Sequence, residues 1–260
     1  MIFYTFPGCP YCERIEIMIV AKSIVADVEV VELDISAPRP AWLLEKTRGT
    51  TALPALEIES GDTLKESLAI MRYLEMRFPE PMVAQHDPVA HAIECMFVEL
   101  GGPFATAGYT MIRNRDHAKR DELKNAVDAQ YAKLDKFLRD YGRGREFLFE
   151  QFGWAEVALA PIAKRLEFLN YYEGYEIPSA LTRVRAWHAA CLAHPAAQDR
   201  KVEEIVRLYY DYSRGAGGGT LPAGRKVSSM TLTPHWSQRP LPPRDKWQAP
   251  EATDAELGLV

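Results

Sequence analysis

The residues in this chain best suited to chemistry come first: Cys9 and Cys12, three apart, flank Pro10-Tyr11 within the first dozen positions. A thiol acts as a nucleophile through its thiolate. Cys9 stands directly before a predicted helix, where unpaired backbone N–H groups and the positive end of the helix dipole favour the anion. Thiol pKa values fall from about 8.5 to as low as about 3.5 in such positions, so Cys9 reads as a nucleophile. Cys12, one turn further in, reads either as a thiol that resolves a mixed disulfide or as packing. A zinc site would need two more ligands, and no second cysteine pair or histidine run supplies them, so no metal is expected. With Cys95 and Cys191 the cysteines total four, too few for a disulfide framework.

Two short motifs further along add binding chemistry. Leu53-Pro54 precedes a predicted strand, where a cis bond would expose the Leu53 backbone to a peptide-like ligand. Glu66-Ser67 opens a predicted helix, and the Ser67 hydroxyl with the first N–H groups suits a carboxylate. The same serine also reads as an ordinary N-cap. Cys9, Leu53-Pro54 and Glu66-Ser67 in that order are more specific than any one of them. Tyr11, Tyr109, Tyr209, Tyr210 and Tyr212 each offer an aromatic wall together with an O–H donor.

The elements that must hold these residues follow from pattern. Residues 2–6 are β-branched and aromatic and end at Pro7-Gly8, which predicts a buried strand. A helix from Pro10 carries Ile15, Met18 and Ile19 on one face. Residues 28–33 predict a second strand, parallel to the first. A short helix at 41–46, a hairpin of 55–58 with 63–65 and a helix at 67–78 complete a βαβ–ββα order. A Cys-x-x-Cys pair beside a βαβ unit reads as a thioredoxin-like redox motif. Beyond a Pro-bounded linker at 80–87, strand signals nearly vanish. Helical patterns at 88–107, 116–141, 154–170, 182–193 and 200–212 predict an all-helical second domain. The expected division is therefore 1–79, linker 80–87, 88–212, and an extension at 213–260. The extension holds six Gly and six Pro in 48 residues, too punctuated for regular elements, yet its Trp236, Trp247 and aliphatics predict that it lies on the fold's surface.

Composition narrows the partners. Against 36 acidic residues stand 31 Lys and Arg, and a net charge of −5 argues against nucleic acid. No apolar run approaches the ~20 residues of a membrane span, and the N-terminus has no signal-peptide pattern, so a cytoplasmic protein is expected.

The βαβ–ββα domain bearing Cys9, Leu53-Pro54 and Glu66-Ser67, followed by helices, resembles the cytosolic glutathione S-transferase superfamily. A cysteine at the catalytic position is similar to its omega class. Over nearly the whole length, the chain is similar to the glutathione-removing lyases of bacterial lignin β-aryl ether breakdown. That likeness rests on Pro7-Gly8-Cys9-Pro10, the stretch Lys46–Pro54, Leu64-Lys65-Glu66-Ser67, Phe152–Glu156, Leu208–Tyr212 and Pro242–Trp247. The resemblance implies a thioredoxin-like domain joined to an all-helical one, and glutathione as co-substrate. It implies Cys9 as catalytic thiol, Leu53 as the backbone partner of the cysteinyl unit, and Glu66 and Ser67 as γ-glutamyl binders. Arg39 falls near the omega-class basic residue that approaches the glycyl carboxylate. A homodimer is also implied, and an aromatic glutathione conjugate as substrate. Pro7, Tyr11, Tyr109, Tyr209 and Tyr210 are the expected pocket residues. Two departures stand out: Gly153 replaces the Ser/Thr of a capping box ending at Glu156, and Cys12 stands where these lyases carry serine. The second keeps open a glutaredoxin-like disulfide reductase using Cys9 and Cys12. A non-catalytic binding module of the same fold is a third reading.

Overall fold

A computed structural model describes all 260 residues. Strand β1 (Ile2–Thr5) leads through Pro7-Gly8 into helix α1 (Pro10–Ala21), with Pro10 at its first turn. Proline suits that position because its missing N–H would have no helical partner. Strand β2 (Glu29–Glu32), helix α2 (Ala41–Lys46), strands β3 (Ala55–Glu57) and β4 (Thr63–Lys65), and helix α3 (Ser67–Arg77) follow. The sheet order is β2-β1-β3-β4, with β1 parallel to β2 and the remaining pairs antiparallel. Alternation along β1 sorts its side chains. Phe3 joins Ile15, Met18, Leu56, Ile70 and Leu74 on the face covered by α1 and α3, while Tyr4 packs with Leu33, Leu43 and Ala55 on the other.

The second half is helical: α4 (Pro88–Glu99), α5 (Gly101–Arg113), α6 (Arg120–Tyr141), α7 (Trp154–Arg165), α8 (Glu167–Glu173), α9 (Thr182–Ala193), α10 (Val202–Leu208) and α11 (Tyr210–Ser213). Every residue of α7 is buried, because it lies between α1 on one side and α4 and α9 on the other. Trp154 and Trp187 are both core, and the indole of Trp187 donates to Glu156 Oε1 at 3.1 Å. Glu156 also accepts from the Gly153 N–H, so the acidic half of the capping box forms without a cap side chain.

Three predicted helices are each divided. The 88–107 pattern breaks at Leu100, and α5 then runs on to Arg113. Pro103 has no N–H for the Glu99 carbonyl, and Gly101-Gly102 disfavour helix, so the ladder cannot continue. The 154–170 pattern breaks at Leu166, whose N–H is shared among the Ile162 and Ala163 carbonyls. The 200–212 pattern breaks at Tyr209, where Ser229 Oγ accepts the Asp211 N–H that would otherwise bond back along the helix.

Residues 214–260 contain almost no regular structure, yet they are anchored by buried polar groups. Lys246 reaches the Met111, Ile112 and Asn114 carbonyls at the end of α5 and pairs with Glu173, both side chains being fully buried. Arg225 pairs with Asp211, and Arg214 donates to the Lys246 and Pro250 carbonyls. Ala252, Leu257 and Leu259 belong to the main helical core. No helix is long and apolar enough to cross a membrane.

Candidate active site

Cys9 occupies the N-cap of α1, its own N–H bonded to the Phe6 carbonyl at 3.0 Å. Its Sγ lies 3.8 Å from the Leu53 carbonyl. The Leu53–Pro54 bond is cis. The Leu53 N–H makes no hydrogen bond within the protein, leaving it available to an extended ligand. The Cys9 thiol is pulled down to about 7. The chief cause is a hydrogen bond from the Cys12 thiol, opposed by burial and aided by the Cys12 amide, the Arg165 charge and the Tyr11 amide. Cys12 is completely buried, and burial together with the neighbouring Cys9 pushes its thiol well up. It is therefore a neutral thiol beneath the partly buried Cys9.

Arg165, at the end of α7, is fully buried under the Cys9 turn. Its Nε donates to the Gly8 carbonyl at 3.1 Å and Nη2 to the Pro7 carbonyl at 3.0 Å, while Nη1 pairs with Glu13. Burial opposes ionisation of Glu13, but Arg165 and Lys164 outweigh it and hold the carboxyl below its usual range. This cluster ties the two halves together directly below the nucleophile. The Gly8 carbonyl accepts a second bond, from the Tyr209 hydroxyl at 2.8 Å. Tyr209 has one proton, so Tyr109, 2.7 Å away, must donate to the Tyr209 oxygen.

Three clefts lie near Cys9, which itself lines none of them. The first, about 390 Å³, is lined by Tyr11, Arg14, Leu53, Pro54, Glu66 and Ser67 among others. Here Ser67 is the first residue of α3 and Glu66, at φ +65°, is its N-cap. The Ser67 hydroxyl accepts from Arg14 Nη1 at 3.0 Å instead of capping the helix. Burial pulls the Arg14 guanidinium down to about 10, and no carboxylate pairs with it. A buried cation, a hydroxyl and the free amides of α3 thus converge on one pocket. The second cleft, about 770 Å³, lies between Tyr11, Tyr109, Thr110, Arg113 and Leu123. The third, about 460 Å³, contains Arg39, Tyr212 and residues of the tail.

The structure therefore gathers Cys9, Cys12, Leu53, Pro54, Glu66, Ser67 and Tyr11 around one centre, with Tyr109 and Tyr209 behind it. Arg39 stands beside this group, its Nε 3.3 Å from the Thr51 carbonyl. Pro7 and Tyr210 do not line these clefts. Pro7 is buried with its carbonyl facing Arg165. Tyr210 is in the core under the tail, its hydroxyl accepting from Ala252 N–H and Arg214 Nε. Consecutive residues of a helix point about 100° apart, so Tyr209 and Tyr210 cannot both face Cys9. Sequence reasoning missed Arg14 and Arg165. The available signal was a cation embedded in an otherwise apolar face of α1, and another ending the apolar run of α7.

A four-stranded thioredoxin-like sheet with a nucleophilic cysteine at the head of α1, joined to a helical domain, defines a class of two-domain thiol enzymes. Residues 3–82 match the family "Glutathione S-transferase, N-terminal domain", and residues 118–190 match "Glutathione S-transferase, C-terminal domain". The chain belongs to the glutathione S-transferase superfamily and is a glutathione transferase enzyme. It is 24% identical to glutathione S-transferase omega-1 of Mus musculus over 213 residues, covering 80% of this chain and 82% of the mouse protein. The structure is similar to glutathione transferase Omega 3C from Trametes versicolor, with TM-score 0.65, 24% identity and coverage of 75% and 86% of the two chains. It is also similar to dehydroascorbate reductase from Chlamydomonas reinhardtii, with TM-score 0.63, 24% identity and coverage of 80% and 96%.

Proposed function

We propose that the enzyme removes glutathione from an α-glutathionyl aryl ketone, an intermediate of lignin β-ether breakdown, through a mixed disulfide on Cys9. The observation that carries this reading is the Cys9 thiol, lowered to about 7, beside a Leu53 backbone whose N–H has no internal partner. Leu53 pairs with the cysteinyl backbone of the conjugate and brings its thioether sulfur to Cys9. The γ-glutamyl carboxylate sits on Ser67, Arg14 and the α3 amides, and Glu66 takes the ammonium. The Cys9 thiolate attacks the glutathione sulfur, the new S–S bond forms, and the C–S electron pair passes to carbon as the enolate of the ketone. An O–H donor aimed at that oxygen lowers the barrier. Tyr109 and Tyr209 have spent their protons on Tyr209 and Gly8. Tyr11 has no hydrogen-bond partner for its hydroxyl and lines both the first and second clefts, so it is the donor this reading assigns. The enolate carbon then takes a proton, and free glutathione displaces its twin from Cys9 as oxidised glutathione.

The proximity of Cys12 favours a second reading, reduction of disulfides by a Cys9/Cys12 pair. Its complete burial and raised pKa support the lyase with Cys12 as donor. A cytoplasmic homodimer is part of the proposal, supported by the resemblance and, for the dimer, by exposed Met76, Val89 and Met96 on α3 and α4. Intact mass spectrometry after mixing with an α-glutathionyl aryl ketone, without free glutathione, tests the chemistry. A glutathione adduct on Cys9 with matching ketone release, absent in Cys9→Ser, is the expected result. The absence of both adduct and ketone would overturn it.

A further inference from the structure

The third cleft lies where the β2–α2 loop meets the tail. Its lining includes two cations, Arg39 and Lys226, and no carboxylate. Neither cation has an ion-pair partner in the protein. Three carboxylates border it and each is engaged elsewhere: Asp34 by Ser36, Thr231 and the Leu232 N–H, and Asp211 and Asp254 by Arg225, with Asp254 also accepting from the Lys226 N–H. On the tail side, Gly217, Gly218 and Gly219 all have positive φ, from +61° to +114°, a run that side-chain-bearing residues resist. Gly217 and Thr220 bond to each other across this turn, whereas the N–H groups of Gly218 and Gly219 have no partner in the protein. Turns of successive glycine amides are anion-binding concavities.

The cleft is linked to the catalytic centre through its lining residues. Arg39 holds the Thr51 carbonyl, two residues before Leu53. Met230, on its floor, lies against Gly8, and the Tyr212 ring packs on Tyr209, which bonds the same glycine's carbonyl. With the γ-glutamyl end in the first cleft, the opposite end of a tripeptide paired with Leu53 leaves past Thr51 toward Arg39. From these observations we infer that the tail completes the glutathione site. Lys226 and the Gly218-Gly219 turn receive the glycyl carboxylate together with Arg39, and the second cleft is left to the aryl ketone. This rests on glutathione binding at Leu53 as proposed above.

The Lys226 side chain is exposed and unpaired, and its one bond, from the backbone N–H to Asp254, survives substitution of the side chain. Calorimetric titration of the full chain uses glutathione and γ-glutamylcysteine, which lacks the glycyl unit. Lys226→Ala is expected to weaken glutathione about three- to five-fold, the range of a partly exposed charge pair, and Lys226→Glu by about ten-fold or more. γ-Glutamylcysteine should bind both variants as it binds the parent. Equal losses for both ligands, or none for either, would overturn the assignment. So would a loss confined to conjugates carrying an acidic group on the ketone half, which would place the substrate's own acid in the cleft. Failure of the unmodified protein to bind glutathione would instead overturn the glutathione reading itself.

Discussion

Replacing Cys12 tests how the nucleophile is made. In the structure the Cys12 thiol is the largest influence lowering Cys9 to about 7, and it stays protonated because it is buried. Cys12→Ala removes the donor and is expected to move the Cys9 titration from about 7 to about 8. At pH 7 the thiolate fraction then falls from about one half to about one tenth. The more basic thiolate is also more nucleophilic, with a Brønsted slope of about 0.4–0.5, which returns close to a three-fold gain. Alkylation by iodoacetamide should therefore slow only about two-fold at pH 7 and run about two- to three-fold faster at pH 9. The pH–rate profiles of parent and variant must cross. Cys12→Ser keeps an O–H donor at the same place and should follow the parent. Ultraviolet thiolate absorbance gives the titration directly, and ketone release reports turnover. Superimposed profiles for the alanine variant would refute the donor role. Loss of turnover in both variants at every pH would refute the single-thiol mechanism.

Glu13→Gln leaves Arg165 and Lys164 without their shared carboxylate in a buried site. It should cost about 3–5 kcal/mol, and thermal unfolding should begin roughly 10 °C lower. Tyr11→Phe should lower single-turnover ketone release by about a hundred-fold, the scale of one lost donor to a developing oxyanion. Tyr109→Phe should change it little, because the Tyr109 proton is held by Tyr209, and equal losses would reject the assignment of Tyr11. His188 is held near 4 by burial, against about 6.5 in the unfolded chain. The unfolded state then binds the extra proton between those values, so stability is complete above pH 6.5 and declines by at most about 3 kcal/mol as pH falls to 4. Melting temperatures at pH 7 and pH 5 check this, and His188→Gln should flatten that part of the dependence.

What the amino-acid order revealed was whatever local physics decides. Cys9 after a strand and before Pro10, the Leu53-Pro54 step and Ser67 at a helix start all depend on neighbours a few residues away. The βαβ–ββα order was legible for the same reason. The residues beneath the nucleophile were not, since Arg165 meets the Pro7 and Gly8 carbonyls across more than 150 positions, and Arg14 meets the Ala158 carbonyl across 144. A cation in an apolar pattern announces burial only once its partner is known. The break at Tyr209 illustrates the limit well. An unbroken helix and a divided one differ there by one bond from Ser229, a residue in a segment without periodicity. The alternative reading of Ser67 as a cap does not hold, because Glu66 occupies the N-cap and the Ser67 hydroxyl accepts from Arg14, a partner 53 positions away.

Lys246, Ala252, Leu257 and Leu259 set a timetable for biosynthesis. The sheet and α1–α3 can begin to pair as they emerge from the ribosome, in the N-to-C order usual for multidomain chains, while Glu13 and Arg14 wait for α7. The helical half cannot finish by the same schedule. Until Lys246 arrives, Glu173 lacks its buried partner and the last carbonyls of α5 lack a donor. Until Leu257 and Leu259 arrive, the main core stands open. From the end of α11 at Ser213 until Leu259 is made, the nascent protein thus waits through some 46 residues of translation with α4–α11 partly assembled, at about 5–20 residues per second. A slowed ribosome over 213–260 should therefore increase recruitment of chaperones to α4–α11 far more than to the sheet.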